Sequence, residues 1–281
     1  MSRNSRNREE MMGKEEMTRE SLENALEGLP VGEIHFFERI GSTNDYAFER
    51  AAAGAPDMSL ITAVEQVKGR GRMRRQWVTV PGTSVPMTVI IRPNETEMEH
   101  LNLFSPLTGL AVRETLRNGF GIESQIKWPN DVLLNRRKIC GVLCETQWEG
   151  SALQALILGF GTNLLHGSAP VIPDITYPAS SVEDETGIRI LPTVWIRCFL
   201  EQLIRLRPLL GSPEFFALWE SCLAYKDEQA AVVRADGIAK QCIVRGIDPD
   251  GNLIIENEDG SREICLAGEI SLRPGINQQT S

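Results

Sequence analysis

Two short stretches of this 281-residue chain concentrate groups that can handle an anion. In the first, Lys68, Arg70, Arg72, Arg74 and Arg75 are interleaved with Gly69 and Gly71. Glycine lets backbone approach a ligand and present its N–H groups, and guanidinium groups grip phosphate in a two-pronged fashion. Such a loop suits a polyphosphate or an acyl phosphate. On composition alone it suits a solvated basic surface or a nucleic-acid patch equally well. The second stretch is Lys127-Trp-Pro-Asn-Asp131, with Lys138 following. Trp128 and Pro129 make a stiff turn, Asn130 offers both a donor and an acceptor, and Asp131 places a carboxylate beside two lysines. A plain β-turn over a buried tryptophan has the same residues.

The familiar nucleotide loops are missing. There is no GxxxxGK[ST]. Gly69 and Gly71 open a GxGxxG pattern whose third glycine is Arg74, and Gly159-Phe-Gly161 also lacks its third glycine. No GxSxG nucleophile elbow occurs. A nucleotide, if one is handled, is held by another device.

Charge narrows the choice. The chain carries 29 Lys and Arg against 38 Asp and Glu, a net −9. The loop at 68–75 alone carries +5, which leaves −14 on the rest. That balance argues against bulk binding of nucleic acid, which wants a basic face. With 42% apolar and 24% charged residues the chain is an ordinary globular one, long enough for two domains. The polar N-terminus has no apolar stretch like that of a secretory signal, and no run of about 18 apolar residues marks a membrane span. The six cysteines form no CxxC pair and sit mostly in apolar runs, so buried thiols of a cytoplasmic protein are expected. The three histidines are scattered, and no metal-ligand spacing is present.

These groups need elements to position them. A polar tail is expected over 1–17. A helix follows over 18–27, a strand over 33–40, and a helix capped by Ser42 or Thr43 that ends near Gly54. Further strands are predicted over 59–65, 83–91, 124–127, 132–134, 139–146 and 152–163, with a hairpin turn at 135–138. Helices are predicted over 101–118, 191–210 and 213–224, and irregular chain over 170–178. From Tyr225 the chain turns β-rich, with Asp-Gly turns at 236–237, 250–251 and 259–260. This spacing predicts a five-stranded barrel over 225–274, too small to be firmly stable alone and so docked on the larger unit. A tail remains over 275–281.

Taken in order, the motifs resemble those of the biotin protein ligases. The matching residues are Ser42-Thr43-Asn44 at a helix start, Gln66 ahead of Gly69-Arg70-Gly71-Arg72, and Trp77. Then come Lys127-Trp-Pro-Asn-Asp131, Lys138, Gly141, Gly161-Thr-Asn163 and the GEISLRP string at 268–274. The resemblance spans roughly residues 20–274, and KWPND followed by RKxxGxLxE is its most specific part. It implies an α+β fold: a mixed β-sheet flanked by helices, of the kind shared with class II aminoacyl-tRNA synthetases, over 18–224, and an SH3-like barrel after it. It also implies ATP, Mg²⁺ and biotin as reactants, a lysine of a biotin carboxyl carrier domain as acceptor, and a homodimer as an available assembly. The segment ahead of the catalytic unit is too short for a helix-turn-helix domain, so the short, ligase-only form is expected.

Residue roles follow from the same resemblance. Lys138 bridges the biotin carboxylate and the α-phosphate, while Arg70 and Arg72 cover the phosphates and close the loop over the adenylate. Ser42, Thr43, Asn44, Gln66, Gly69, Gly71 and Gly141 join these basic residues around biotin. Trp77, Lys127, Asn130 and Asn163 face the nucleotide. A lysine amine is only about 0.04% neutral at pH 7, so a carboxylate that positions and deprotonates it is needed, and Asp131 matches that post. Asp131 as a plain ion-pair partner of Lys127 or Lys138 is the other reading. Arg74 stands where family loops often carry a further glycine, which implies a stiffer, more basic loop. Two other functions are weighed: a lipoate or octanoate ligase or transferase of the same fold, and a non-enzymatic nucleic-acid-binding protein.

Overall fold

The strand Ser84–Ile91 is buried along its whole length, which marks the middle of a sheet covered on both faces. In the computed structural model, which describes residues 17–169, 178–234, 239–267 and 270–274, this strand is β3 of a seven-stranded sheet. The others are β1 (Ile34–Ile40), β2 (Ser59–Gln66), β4 (Gln125–Lys127), β5 (Asp131–Leu134), β6 (Arg137–Glu149) and β7 (Ala152–Asn163). Their order is β1-β2-β3-β7-β6-β5-β4. Only β1 and β2 run parallel, and the remaining pairs are antiparallel. The sheet is therefore mixed, as expected.

Side-chain alternation along β7 divides the molecule. Leu156, Leu158 and Phe160 face the larger core, beneath the helices α4 (Phe104–Phe120) and α6 (Pro192–Leu206). Ala155 and Ile157 face the other way and pack with Ala47 and Ala51 of helix α2 (Thr43–Ala52). The next residues on that face are Gly159 and Gly161. Where the apolar side chains stop, at the N-terminal end of α2, a cavity begins.

Helix ends follow local chemistry. Helix α1 (Arg19–Leu26) starts at a reciprocal cap between Thr18 and Ser21, and Met17 just before it is buried rather than part of a tail. The rest of the expected tail, 1–16, lies outside the described residues, as do 170–177, the 236–237 turn and the tail at 275–281. The helix expected at 101–118 opens as a 3₁₀ turn and runs to Phe120, where Gly121 (φ 70°) closes it. The helix expected to reach 210 gives way after Leu206 to a 3₁₀ turn containing Pro208. The last helix of this unit, α7 (Pro213–Ser221), stops short of 224 because Ile126 accepts a backbone hydrogen bond from Ala224 and gives one to Cys222. Two short helices were not legible: α3 (Glu95–Met98), capped by Asn94, and α5 (Val182–Thr186), capped by Ser181.

The C-terminal unit is an antiparallel five-stranded sheet, in line with an SH3-like domain. Its strands are β8 (Gln229–Arg234), β9 (Ala239–Ile247), β10 (Leu253–Glu256), β11 (Arg262–Cys265) and β12 (Ile270–Pro274), in the order β11-β10-β9-β8-β12. The unit is docked. Val244, Leu253, Ile255 and Leu272 belong to the same apolar cluster as the core of the larger unit. Trp128, buried in the turn between β4 and β5, donates its indole N–H to the Gly251 carbonyl at 3.0 Å. Trp128→Phe keeps an aromatic ring in the turn but removes that donor together with the pyrrole part of the indole. It should cost about 1–2 kcal/mol and lower the calorimetric Tm by about 2–4 °C. An unchanged Tm would show that the contact does not hold the two units together.

Candidate active site

The KWPND segment folds as a tight connection between β4 and β5, with Lys127 opposite Asp131 in the ladder. Both are nearly buried, at 7% and 9% exposure. The Asp131 carboxylate lies 3.0 Å from Lys127 Nζ and 2.6 Å from Lys138 Nζ, which β6 brings up from the next strand. Burial alone would raise the proton affinity of Asp131. The two ammonium groups outweigh it and hold the carboxyl well below the usual carboxylate range. Burial is also the largest influence on Lys127 and lowers its proton affinity against the pull of Asp131. Lys138 is the more open of the two, and its ammonium stands 5.7 Å from the centroid of the Trp77 ring.

Beside this cluster lies a cavity of about 630 Å³. Its floor is the paired glycines Gly141 and Gly161 on β6 and β7. A Cβ on Gly161 would collide with the Trp77 indole, and one on Gly141 would press on Trp77 and Lys138, so flat backbone is required there. At one end stand neutral groups. Gln66 Oε1 accepts from Thr43 N at 2.7 Å and from Thr43 Oγ1 at 2.9 Å, and the Ser42 hydroxyl caps α2. At the other end stand cations: Lys138, Arg72, Arg75 and, from the small C-terminal sheet, Arg273. Among the described residues, none of these three arginines has a carboxylate partner within ion-pairing distance. Burial lowers the proton affinity of Arg72 and of Arg273, and Arg273 Nε is buried without a hydrogen-bond acceptor.

The basic loop is a small closed structure. Arg70 and Gln76 bridge in antiparallel fashion, Gly71 N donates to Arg75 O at 2.8 Å, and Trp77 N to Gly69 O at 3.0 Å. Gly69 is needed by the loop itself, because a Cβ there would strike the Trp77 carbonyl. The left-handed residue of the loop is Met73, at φ 54°, and not Arg74.

All the residues expected at the site border this cavity except Gly69, which stands behind the loop. Several are differently engaged than the motif implies. Arg70 forks onto Glu145 at 2.8 and 2.9 Å and reaches Asp45 at 2.8 Å, so its charge is already matched by carboxylates. Asn130 accepts from Arg72 at 3.1 Å and donates to the Val142 carbonyl at 2.7 Å. Asn163 donates to the Ser180 carbonyl at 3.1 Å. Sequence reasoning missed Thr88, Glu145, Gly159, Arg273 and Leu272. Only the strand alternation through Gly161 could have exposed Gly159. Cys140 and Cys144, on the strand beside Lys138, have thiols that burial pushes up to about 12, so neither is a resting nucleophile. No cluster of metal-ligating side chains occurs among the described residues.

The chain is similar to known proteins. The biotin/lipoate A/B protein ligase family matches residues 36–163, and the C-terminal domain of biotin protein ligases matches residues 230–273. A biotin--[acetyl-CoA-carboxylase] ligase of Paracoccus denitrificans is 32% identical over 83% of this chain and 97% of its own. The chain belongs to the biotin/lipoate A/B protein ligase family. The bifunctional ligase/repressor BirA of Bacillus subtilis is 30% identical over 83% of this chain and 72% of its own. Among solved structures, the biotin protein ligase from Aquifex aeolicus in complex with biotin and ATP superposes with a TM-score of 0.73 at 26% identity, covering 86% of this chain and 99% of that one. Both matched family segments border the cavity, through Lys138 and Gly161 in one and Arg273 in the other.

The buried triad makes a sign-definite prediction. Asp131 has a depressed proton affinity in the folded state. Its stabilising contribution is therefore complete above the unfolded carboxyl value of about 4 and is lost as pH falls toward the folded value. Asp131→Asn strands two ammonium groups and should cost on the order of 3 kcal/mol at neutral pH. In urea titrations the gap from the parent protein should narrow below about pH 4. A gap that is constant with pH would mean that the carboxylate's charge does not stabilise the fold.

Proposed function

We propose that the protein is a biotin protein ligase. It joins biotin to ATP as biotinyl-5′-AMP with loss of pyrophosphate, and then passes the biotinyl group to a lysine of a biotin carboxyl carrier domain. The observation that carries this reading is the polarity of this cavity. Gln66, Thr43 and Ser42 offer neutral hydrogen-bonding groups at one end, and Lys138, Arg72, Arg75 and Arg273 offer positive charge at the other. Biotin's neutral ureido head and its carboxylate differ in the same way. Lipoate, the alternative substrate of the family, ends in an apolar dithiolane, which offers the polar groups around Gln66 no hydrogen-bonding partner.

In the first step two anions must meet: the carboxylate oxygen attacks the α-phosphorus and pyrophosphate leaves. Lys138 supplies charge where the two converge, and Arg72 covers the phosphates from the loop. Trp77 gives the nucleotide base an aromatic face. Asn130, Asn163 and Lys127 hold the surrounding backbone and charge in place. Mg²⁺, brought in with ATP, would neutralise charge on the phosphates during the attack. In the second step a carrier lysine attacks the acyl carbon, and AMP leaves. Asp131 remains ionised throughout the physiological range, which suits it to hold the incoming amine. Its low proton affinity makes it a weak base, so positioning is its larger part.

The work is done by a catalytic unit at 18–224 with the small domain at 225–274 as one wall of the site. The setting is the cytoplasm, and no helix among the described residues is long and apolar enough to cross a membrane. Neither a homodimer nor nucleic acid is required by this chemistry.

The test is to incubate the protein with ATP, Mg²⁺, biotin and a carrier domain and to weigh the carrier. A biotinyl increment on one lysine is expected, and an increment from lipoate alone would overturn the reading. Lys138→Ala should form no detectable biotinyl-adenylate while staying folded by circular dichroism. Arg72→Ala should form it but release it, with bound adenylate lost about tenfold faster in a gel-filtration trap. Retention equal to the parent would remove Arg72 from the covering role.

A further inference from the structure

The neutral end of the cavity and the basic loop are joined by a series of polar contacts that includes two residues, Thr88 and Glu145, to which no part in the reaction has been given. Starting at Gln66, Thr43 Oγ1 lies 2.9 Å from Gln66 Oε1 and 2.8 Å from Thr88 Oγ1. Thr88 Oγ1 lies 2.6 Å from Asn44 Oδ1. Asn44 Nδ2 donates to Glu145 Oε2 at 2.8 Å, and the same carboxylate receives both prongs of Arg70. Five parts of the fold are thereby tied: the end of β2, the start of α2, the middle of β3, the exposed half of β6 and the loop.

The chemistry of the series fixes its direction. Two hydroxyl hydrogens serve three contacts. Asn44 Oδ1 carries no hydrogen, so Thr88 must donate to it. Gln66 Oε1 is already satisfied by the Thr43 backbone N–H at 2.7 Å, which leaves the Thr43 hydroxyl to donate toward Thr88 or Gln66. The direction is therefore fixed from Thr88 to Asn44 to Glu145, while the Thr43 hydroxyl lies within hydrogen-bond distance of both Gln66 Oε1 and Thr88 Oγ1. Thr88 is fully buried and Asn44 is 5% exposed, so water cannot substitute in this part. Gly159 lies directly beneath Asn44, where any Cβ would overlap the amide, so glycine is what leaves room for Asn44 in this position. Asp45 pairs Arg70 too, but it is mostly exposed, so Glu145 is the firmer anchor.

We propose that Glu145 and Thr88 are positioning residues of the ligase reaction. Through Asn44, they hold Arg70 and hence the covering loop in register with the residues that receive the neutral head of the substrate. The proposal rests on the ligase reading of the site. Neither residue touches the reacting atoms. Glu145 acts through Arg70 and Asn44, and Thr88 acts through Asn44 and Thr43.

The experiment compares the parent, Glu145→Gln, Thr88→Val, Arg70→Gln and the Glu145→Gln/Arg70→Gln double variant. Glu145→Gln should shorten the lifetime of bound biotinyl-adenylate and raise KM for biotin, each about tenfold. KM for ATP and the calorimetric Tm should stay close to the parent's. Thr88→Val should move the same two quantities in the same direction. If Glu145 works through Arg70, the double variant is no worse than Arg70→Gln alone. Parental adenylate lifetime in Glu145→Gln, or additive losses in the double variant, would overturn the proposal. Limited trypsin digestion separates this outcome from failure of the ligase reading. Faster cleavage within residues 70–75 in Glu145→Gln is expected whatever the substrate, and equal cleavage would refute the tie. A parent protein that makes no biotinyl-adenylate would refute the ligase reading instead.

Discussion

The Asp131 carboxylate between the ammonium groups of Lys127 and Lys138 is the interaction on which the site depends. Two positive charges this close repel, and neither could be kept at the floor of a cavity without the anion. The arrangement holds three consecutive short elements, β4, the Trp128-Pro129 turn and β5, against the start of β6. It also leaves a net positive charge. One carboxylate matches one ammonium, and the more open Lys138 remains able to meet a second anion. The same carboxylate that stabilises the folded site thus prepares it for a negatively charged substrate.

From that point the site is assembled by what the strands leave out. Antiparallel pairing sets Gly141 opposite Gly161 and Leu143 opposite Gly159. Along one face of β7, side chains shrink from Ile157 to Gly159 and Gly161, so the helix that covers the sheet gives way to open space. Trp77 lies on this bare backbone, and its breadth needs Gly161 and Gly141. Any side chain on the floor would lift the indole and move it relative to Lys138. Cavity, aromatic wall and cation are therefore one packing problem.

Legibility in the sequence followed distance along the chain. Lys127, Asp131 and Lys138 lie within twelve positions of each other, and their pairing could be read as one of two outcomes before any fold was known. The mixed sheet was legible because its strands are continuous apolar runs between turn residues, and the docked C-terminal sheet because its Asp-Gly turns recur. The family resemblance implied a phosphate-covering role for Arg70, and nothing local showed its carboxylate partner Glu145, which is 75 residues away. Gly69 was read as opening the loop to a ligand. Its actual constraint is the Trp77 carbonyl, which only the closed loop brings near. Arg273 was invisible as a cavity residue because docking of the small sheet, not any local pattern, places it there. Helices α3 and α5 escaped because four or five residues carry too little periodicity to register.

The arginines of the site show why charge count alone misleads. Arg70 is matched by Glu145 and Asp45, so it fastens the loop and adds little free positive potential. Arg72 is half-buried, donates to the neutral acceptors Asn130 Oδ1 and the Ala267 carbonyl, and has no carboxylate within ion-pairing distance among the described residues. The loop thus combines one arginine that anchors with one that is held ready. Arg72 gains a further constraint from Ala267, because that contact ties the loop to the small domain that also carries Arg273. An anion entering between them would draw together a strand end, a loop and a separate domain, none of which is joined to the others by a continuous sheet. Closure in such a site comes from matching charge that the protein has left unmatched, and the uneven distribution of −9 over the chain is the sequence-level trace of that design.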